Sequence, residues 1–414
     1  MGSEEQMNRE VKKIPVIIFG DHIAAYGVIR ALGPLGVPIY IISNSGNGIA
    51  TKSRFVRKTL GLKSEKIDFI EKCISWIKKE AGENAVLMVA GQDDYLDILS
   101  KNVDRLTPGL KPTFPAWATV QKVRYKHDTY RIADRIGIPV PKTYYITSRN
   151  QLEGLLENFD DVEFPLLMKS EDSAIFAERY GTKGVICDRR DKILMNFDKY
   201  NRFLGKLLLQ EMIPGGENQL LNFIAVLNAR SDPVAVFMNR KRRSAGRFSS
   251  CTLMETMWSD DVLRYSLKLL KEIGYVGYAN PEFKFDSRDG KLKIIEINGR
   301  ISMSNSHALR CGINLPLYMY LEATNGPLPA QMEFKKAYSD NILWWYLSGD
   351  TLSAITFLRR KEITAGEYIR SIMGKGYIIE PIKITDPRVG ALSIMQGLSY
   401  APFFNRFRFF KKLQ

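Results

Sequence analysis

Apolar and polar positions along the first hundred residues predict a strand, a helix and a strand in turn. Pro15 to Phe19 (PVIIF) reads as a short buried strand, and a helical stretch follows Gly20 as far as Leu35. Gly36 closes it, and Val37 to Ile42 (VPIYII) reads as the next strand. That succession predicts a βαβ unit with a parallel pair. Val86 to Ala90 (VLMVA) is a later strand with Gly91-Gln92-Asp93-Asp94 at its carboxyl end. Residues 14–115 are therefore expected to form a doubly wound domain behind a flexible N-terminus over 1–13.

The pattern then changes. A helix is expected from about Lys122 to Arg135, closed by Gly137 and followed by Pro139 and Pro141. Phe164 to Lys169, Gly184 to Cys187, Leu207 to Met212, Phe223 to Leu227 and Pro233 to Met238 are strand-like. Asp260 and Asp261 open an amphipathic helix whose apolar stripe is Leu263, Leu267, Leu270 and Ile273, ended by Gly274. Two more strands run from Gly277 to Phe285 and from Lys291 to Ile297. Residues 116–328 thus read as an α+β domain, with a small lid subdomain over about 140–212. After about Gly326 the pattern weakens, and 329–414 is expected to be a C-terminal extension. The fold class is α/β, with α+β character in the second domain.

The stretch GYANPEFKFDSRDGKLKIIEINGR (Gly277 to Arg300) carries the sharpest chemical signal. Asp289-Gly290 between two strand patterns predicts a hairpin. A three-residue loop, Arg288-Asp289-Gly290, places Ser287 opposite Lys291. Glu282 then faces Glu296, and Asn280 faces Asn298. Side chains alternate with period two, so Glu282, Glu296 and Asn298 share a face. Two carboxylates and an amide oxygen converging there suit a hard cation such as Mg²⁺, or Mn²⁺. A loop of even length would put Glu282 on the opposite face. A solvated hairpin with exposed acids is the plain alternative.

Charge changes the picture next. Sixty Lys and Arg against 45 Asp and Glu give a formal charge of +15, which favours anionic partners. Lys126, near a helix start, and Lys169, at a strand end, are candidate phosphate cations, although such lysines are ordinarily solvated. LLLQEMIPGGEN runs from a strand into Pro214-Gly215-Gly216. Such a strand can offer its main chain to an adenine edge, and Glu217 can accept from ribose hydroxyls. The four cysteines, Cys73, Cys187, Cys251 and Cys311, are widely spaced, and there are three histidines; no zinc site or redox pair is spelled out. Reduced thiols fit a cytoplasmic location. The charged start predicts no secretory signal, and no apolar run is long enough to predict a membrane-spanning helix.

In order along the chain, PVIIFGDHIAAYGVIRALGPLGVPIYII, SRFVRK, KHDTYRIADRIGIPVPKT, FPLLMK, LLLQEMIPGGEN, MNRKRR and PEFKF–IEINGR resemble the ATP-grasp superfamily, and more closely its carboxylate–amine ligases of the D-aspartate ligase type. The resemblance runs from about Pro15 to about Pro327. It implies ATP as nucleotide and Mg²⁺ as metal, with Lys126 and Lys169 on adenine and phosphates. Gln210, Glu211 and Met212 become the adenine strand, Glu217 the ribose acid, and Glu282, Glu296 and Asn298 the metal ligands. Arg300 steadies the transferred phosphate, and Lys241 with Arg240, Arg242 and Arg243 lies near the acceptor carboxylate. The implied reaction is ATP-dependent amide formation between a small carboxylate and an amine, an amino acid among them, by a monomer or homo-oligomer.

Two departures stand out. The phosphate-covering segment Ser170 to Gly184 has glycine only at 181 and 184, leaving Lys183 to supply what backbone donors would. Pro281 removes a ladder donor beside Glu282, which predicts an edge or a bulge. Both support the alternative of an ATP-binding regulatory or membrane-associated protein without turnover. Asp93 and Asp94 are candidates for the acceptor site. The end of the chain, PFFNRFRFFKK over 402–412, either packs by its rings, the favoured reading, or lies on an anionic membrane. No nucleic-acid reading module accompanies it.

Overall fold

The structure, a computed structural model, describes residues 11–399 apart from 66, 107, 158–162, 172, 202–206, 246–249 and 332–337. For 173–175, 178, 217, 352 and 396–399 it describes the backbone only. Most of the expected flexible start and the 402–412 segment lie outside the described residues. Residues 11–13 do not hang free: Val11 is buried and the Tyr320 hydroxyl donates to the Lys12 carbonyl.

Strands β1 (Val16–Phe19), β2 (Ile39–Ser43), β3 (Val56–Gly61), β4 (Ala85–Val89) and β5 (Leu110–Pro112) form a parallel sheet in the order β3-β2-β1-β4-β5. Its centre is apolar on both faces because helices cover both. The helix Ile23–Leu32 is buried at every position except Arg30. It packs on the helices Asn305–Arg310 and Leu315–Asn325. Gly27 makes that approach possible, since a Cβ there would lie 2.0 Å from the Asn305 amide oxygen.

Strands β6 (Thr143–Ile146), β7 (Leu166–Ser170), β8 (Val185–Cys187) and β9 (Leu207–Glu211) form an antiparallel sheet in the order β6-β9-β7-β8. The segment between β7 and β8, for which the sequence predicted no regular element, contains the helix Ser173–Tyr180. Phe176 from this helix is fully buried against Tyr180 and Tyr200, with centroids 5.0 Å away in each case. Aromatic packing thus replaces glycine freedom.

The third sheet has the order β14-β13-β10-β11-β12-β15-β16, built from β10 (Leu220–Leu227), β11 (Pro233–Ser244), β12 (Cys251–Thr256), β13 (Gly277–Asp286), β14 (Lys291–Asn298), β15 (Ile342–Tyr346) and β16 (Gly376–Glu380). The helix Asp260–Ile273 begins as its acids predict, with Ser259 accepting from Val262 N, and ends at left-handed Gly274. Its buried face is Val262, Ser266, Leu269, Leu270 and Ile273, so Leu263 and Leu267 flank the core rather than form it.

The C-terminal part is no separate appendage. β15 pairs antiparallel with β12, and β16 pairs parallel with β15, so the sheet simply continues. A buried ion pair fastens it. Asp350 accepts from Arg243 Nε at 2.7 Å and Nη2 at 2.6 Å, from Thr252 Oγ1 at 2.7 Å and from Trp345 Nε1 at 2.8 Å. Asp350→Ala would leave the Arg243 guanidinium buried without its counter-charge. The expected loss of stability is about 3 kcal/mol, read by urea denaturation; a loss near zero would show that solvent reaches the pair.

Candidate active site

The hairpin brings the predicted acids together by a different route. β13 and β14 pair Asn280 with Asn298, Pro281 with Ile297 and Glu282 with Glu296, as the spacing predicts. Beyond Glu282 the register shifts, so that Phe283 meets Ile294 and Asp286 meets Lys291. Ser287 therefore belongs to a turn over residues 287–290 and does not pair with Lys291. The turn is even, and a bulge at Ile295 restores the pairing above it. The Tyr130 hydroxyl holds that bulge, donating to the Ile295 carbonyl at 2.7 Å.

Pro281 lies on an interior strand, not an edge. The ladder between β13 and β10 lapses beside it, since recorded pairs jump from Asn222–Glu282 to Ala225–Ala279. The Asn280 amide fills the gap, donating from Nδ2 to the Phe223 carbonyl at 3.0 Å. A side-chain donor takes over where proline has none.

Lys241 Nζ lies 2.7 Å from Glu282 Oε2. The Asn298 amide reaches both carboxylates, at 3.1 Å from Glu282 Oε1 and 3.5 Å from Glu296 Oε1. Lys126 Nζ is 4.0 Å from Glu296 Oε2. Burial works to raise the Glu296 pKa, yet Lys126, Lys241, Lys183 and Lys169 together outweigh it and hold the carboxyl at about 2. Burial likewise opposes charge on Lys241, and the Glu282 carboxylate overrides it, moving the ammonium above the ordinary lysine range. Among the described residues, no three His, Cys, Asp or Glu side chains gather to hold a metal. Two carboxylates within reach of one amide nonetheless form a donor set that fits a hard cation whose other ligands come from a phosphate chain.

A cleft of about 720 Å³ opens over this face. It is lined by Lys126, Lys169, Lys183, Gln210, Glu211 and Met212 from one side and by Lys241, Glu282, Glu296, Asn298 and Arg300 from the other. Lys169 is buried, and its Nζ donates to Gln210 Oε1 at 2.6 Å. Burial, and then the neighbouring Lys126 charge, lower its pKa to about 7. Gln210 is itself fixed by Nε2 bonds to Thr143 Oγ1 at 2.8 Å and Tyr130 OH at 3.1 Å. Glu211 is held by Arg288 at 2.6 Å and Lys293 at 2.8 Å.

The first sheet closes one end. Ala90 bridges Ile301, with Ile301 N donating to the Val89 carbonyl at 3.0 Å and Gly91 N to the Ile301 carbonyl at 3.0 Å. This brings Asp93 into the lining, its Oδ1 3.2 Å from Arg300 Nε. The geometry does not make a hydrogen bond, so the buried Arg300 Nε has no acceptor among the described residues. Asp94 is not in the lining and accepts from Ser64 at 2.7 Å.

Arg240 is not brought to the cleft: its guanidinium pairs with Glu255 on β12. Arg242 and Arg243 serve the C-terminal part, Arg242 donating to the Ser371 carbonyl at 2.8 Å. Alternation turns Arg240 and Arg242 away from Lys241 and toward Glu255, and a register shift between Lys241 and Arg243 accompanies the turn of Arg243 to Asp350. The Glu217 side chain lies outside the described residues. His307 is packed: burial lowers its pKa to about 3, and Nε2 meets the Ile342 carbonyl at 3.1 Å.

Two contributors escaped the sequence reading. Lys284 Nζ donates to the Ile213 and Gly215 carbonyls at 2.8 and 3.0 Å, fixing the chain after β9. Its period-two spacing from Glu282 was the available signal. Glu171 accepts from the backbone of Lys126 at 2.8 Å and His127 at 3.2 Å, capping the helix Lys126–Arg135 from just beyond the end of β7. Nothing local announces that contact.

Known proteins with this arrangement of sheets place the chain. A biotin carboxylase domain from Hydrogenobacter thermophilus, solved with MgADP, ADP and bicarbonate, superposes with a TM-score of 0.60 at 19% identity over 80% of this chain and 74% of that one. An L-amino acid ligase from Bacillus licheniformis gives 0.55 at 16% identity, over 77% and 76%. The chain shares their fold. The family model described as carbamoyl-phosphate synthase L chain, ATP binding domain, matches residues 242–319 of this chain. A D-aspartate ligase from Enterococcus faecium (strain Aus0004) is 23% identical over 274 residues, 61% of this chain. The chain spans 62% of that relative's length.

Proposed function

We propose that this chain is an ATP-grasp carboxylate–amine ligase that forms an amide bond at the expense of ATP, releasing ADP and phosphate. The observation that carries the reading is the single cleft in which Lys126, Lys169 and the Gln210–Met212 strand face Glu282, Glu296, Asn298 and Arg300. A carboxylate is a poor electrophile. Transfer of the γ-phosphoryl group to one carboxylate oxygen gives an acyl-phosphate; the amine then attacks its carbonyl carbon, phosphate leaves, and the amine loses a proton.

Lys126 and Lys169 bind the phosphate chain, and Gln210 keeps Lys169 aimed. The main chain of Gln210 to Met212 meets adenine. Glu282, Glu296 and Asn298 would hold Mg²⁺, which supplies charge neutralisation between phosphate oxygens. Lys241 faces the acceptor carboxylate. Arg300, whose Nε N–H awaits an acceptor, stabilises charge on the transferred group and on the carbonyl oxygen. Asp93 holds Arg300 at the acceptor end.

The test is an ADP-release screen with pooled amino acids and small carboxylates, followed by mass analysis of the product. Substrate-dependent ADP and a product short of one water support the ligase. Tight ATP binding with no substrate-dependent ADP across the panel would favour a regulatory role instead.

The Lys169 charge makes ATP binding depend on pH. Its folded pKa of about 7 means the free protein loses this ammonium as pH rises through 7. ATP binding then requires proton uptake, so Kd should rise by up to about tenfold per unit above pH 7. Lys169→Arg should flatten the profile, as calorimetry in buffers of different ionisation enthalpy would show. A Kd constant from pH 6 to 9 would remove Lys169 from the phosphate site.

A further inference from the structure

Four groups in and behind the cleft wall form one directed line of hydrogen bonds. The Lys169 ammonium can only donate, so Gln210 turns its oxygen toward it, and Oε1 accepts at 2.6 Å. That leaves the Gln210 Nε2 hydrogens for Thr143 Oγ1 at 2.8 Å and the Tyr130 hydroxyl at 3.1 Å. The Tyr130 hydroxyl, its oxygen already accepting, gives its own hydrogen to the Ile295 carbonyl at 2.7 Å. Lys169, Gln210 and Tyr130 are all buried, so the line runs where solvent competes little for its bonds.

The line crosses from one sheet to another. Lys169 on β7 and Gln210 on β9 belong to the four-stranded sheet. Ile295 is the bulge residue of β14 in the large sheet, and Glu296 is next in the chain. Tyr130 stands between them, one helical turn after Lys126, whose Nζ is 4.0 Å from Glu296 Oε2. A single hydroxyl thus meets both the amide that aims a cation and the carbonyl that sets the place of a carboxylate. Tyr275 makes a useful contrast. Its fully buried hydroxyl donates to the Gly299 carbonyl at 2.9 Å, on the far side of Glu296 and Asn298. Among the described residues, no side chain of the four-stranded sheet bonds to it.

We propose that Tyr130 is a positioning residue that holds Lys169 and Glu296 in one arrangement, so that the nucleotide phosphates and their divalent cation are gripped together. The inference rests on the nucleotide and metal assignments proposed above. Without the hydroxyl, Gln210 keeps Thr143 but loses the second bond that fixes its amide. The Ile295 carbonyl loses its donor, and the bulge ahead of Glu296 relaxes. The fold is not at stake in Tyr130→Phe. The ring keeps its apolar surroundings, and Glu211 still joins β9 to Arg288 and Lys293 across the two sheets.

Calorimetry of ATP binding to the full chain at a series of Mg²⁺ concentrations tests this, with melting as the check on folding. Tyr130→Phe should raise the ATP Kd about tenfold at saturating Mg²⁺, and raise the Mg²⁺ concentration needed to reach half of its effect by about tenfold too. Gln210→Leu should raise the Kd alike but leave the Mg²⁺ requirement in place, because Tyr130 still holds Ile295. Adding Tyr130→Phe to Gln210→Leu should then raise the Mg²⁺ requirement with no further loss of ATP affinity at saturation. Tyr275→Phe should change neither quantity by more than about twofold. Unchanged values in the folded Tyr130→Phe variant would overturn the inference while leaving the ATP site standing. So would additive losses of affinity in the double variant, or an equal change in Tyr275→Phe. Absence of ATP binding by the wild-type chain would remove the site itself, and the inference with it.

Discussion

Glu296→Gln is expected to lower substrate-dependent ADP release by about a thousandfold while leaving the fold in place. Glutamine keeps the shape and an oxygen for the Asn298 amide, which lies 3.5 Å from Glu296 Oε1. It removes the charge on which the site turns. Lys126, Lys241, Lys183 and Lys169 hold that carboxyl ionised at about pH 2 and above despite burial. The carboxylate is therefore present throughout the working pH range, ready for a divalent cation. Without it, the lysines repel one another and any metal bound beside them. Thermal melting separates loss of chemistry from loss of fold. Wild-type ADP release by the folded variant would remove Glu296 from the metal site, and the proposed chemistry with it.

Arg300→Lys is the second large effect. It conserves charge and removes the planar fork, so kcat should fall about a hundredfold with ATP affinity little changed. The reason lies in placement. Arg300 follows β14, beyond the carboxylate pair, and its Nε approaches Asp93 to 3.2 Å without a hydrogen bond. An N–H kept buried without an acceptor is costly unless a ligand supplies one. The lysine ammonium cannot present two parallel donors to a phosphoryl group and keep Asp93 as well. Rapid-quench measurement of phosphoryl transfer, beside equilibrium ATP binding, reads the two effects apart. An equal loss in both would place Arg300 on the nucleotide instead of the reacting centre.

Alternation is the most legible signal in the chain, and the hairpin shows its reach and its limit. Period two, with a turn at Asp289-Gly290, predicted that Glu282 meets Glu296, and they meet. The assumed loop was odd; the real turn over 287–290 is even, and a bulge at Ile295 supplies the missing residue. Spacing fixes the parity of the whole hairpin but cannot divide it between turn and bulge. Tyr130, 165 residues away, accepts no such ambiguity: its hydroxyl holds the Ile295 carbonyl. Pro281 follows the same logic, because the donor that replaces its missing N–H is a neighbouring side chain whose direction depends on β10.

Other differences share a cause. The helix Asp260–Ile273 was legible in its ends, which Ser259 and Gly274 set locally, but its buried face turned toward Val262 and Leu269 because the sheet beneath chose it. Of the basic run 240–243, alternation gives Lys241 to the cleft and Arg240 to Glu255, while past the register shift in β11 Arg243 goes to Asp350. The C-terminal strands are short and sit beside β12 only through long-range pairing.

By itself the sequence determined the parallel βαβ start, the carboxylate pair with its amide and the lysine-bearing strands, because backbone geometry imposes their periods locally. Tertiary structure alone decided which cations face the cleft, how Arg300 meets Asp93, where the bulge falls and that the last strands extend the large sheet. Those outcomes depend on contacts between residues far apart in the chain, whose energies no local period records.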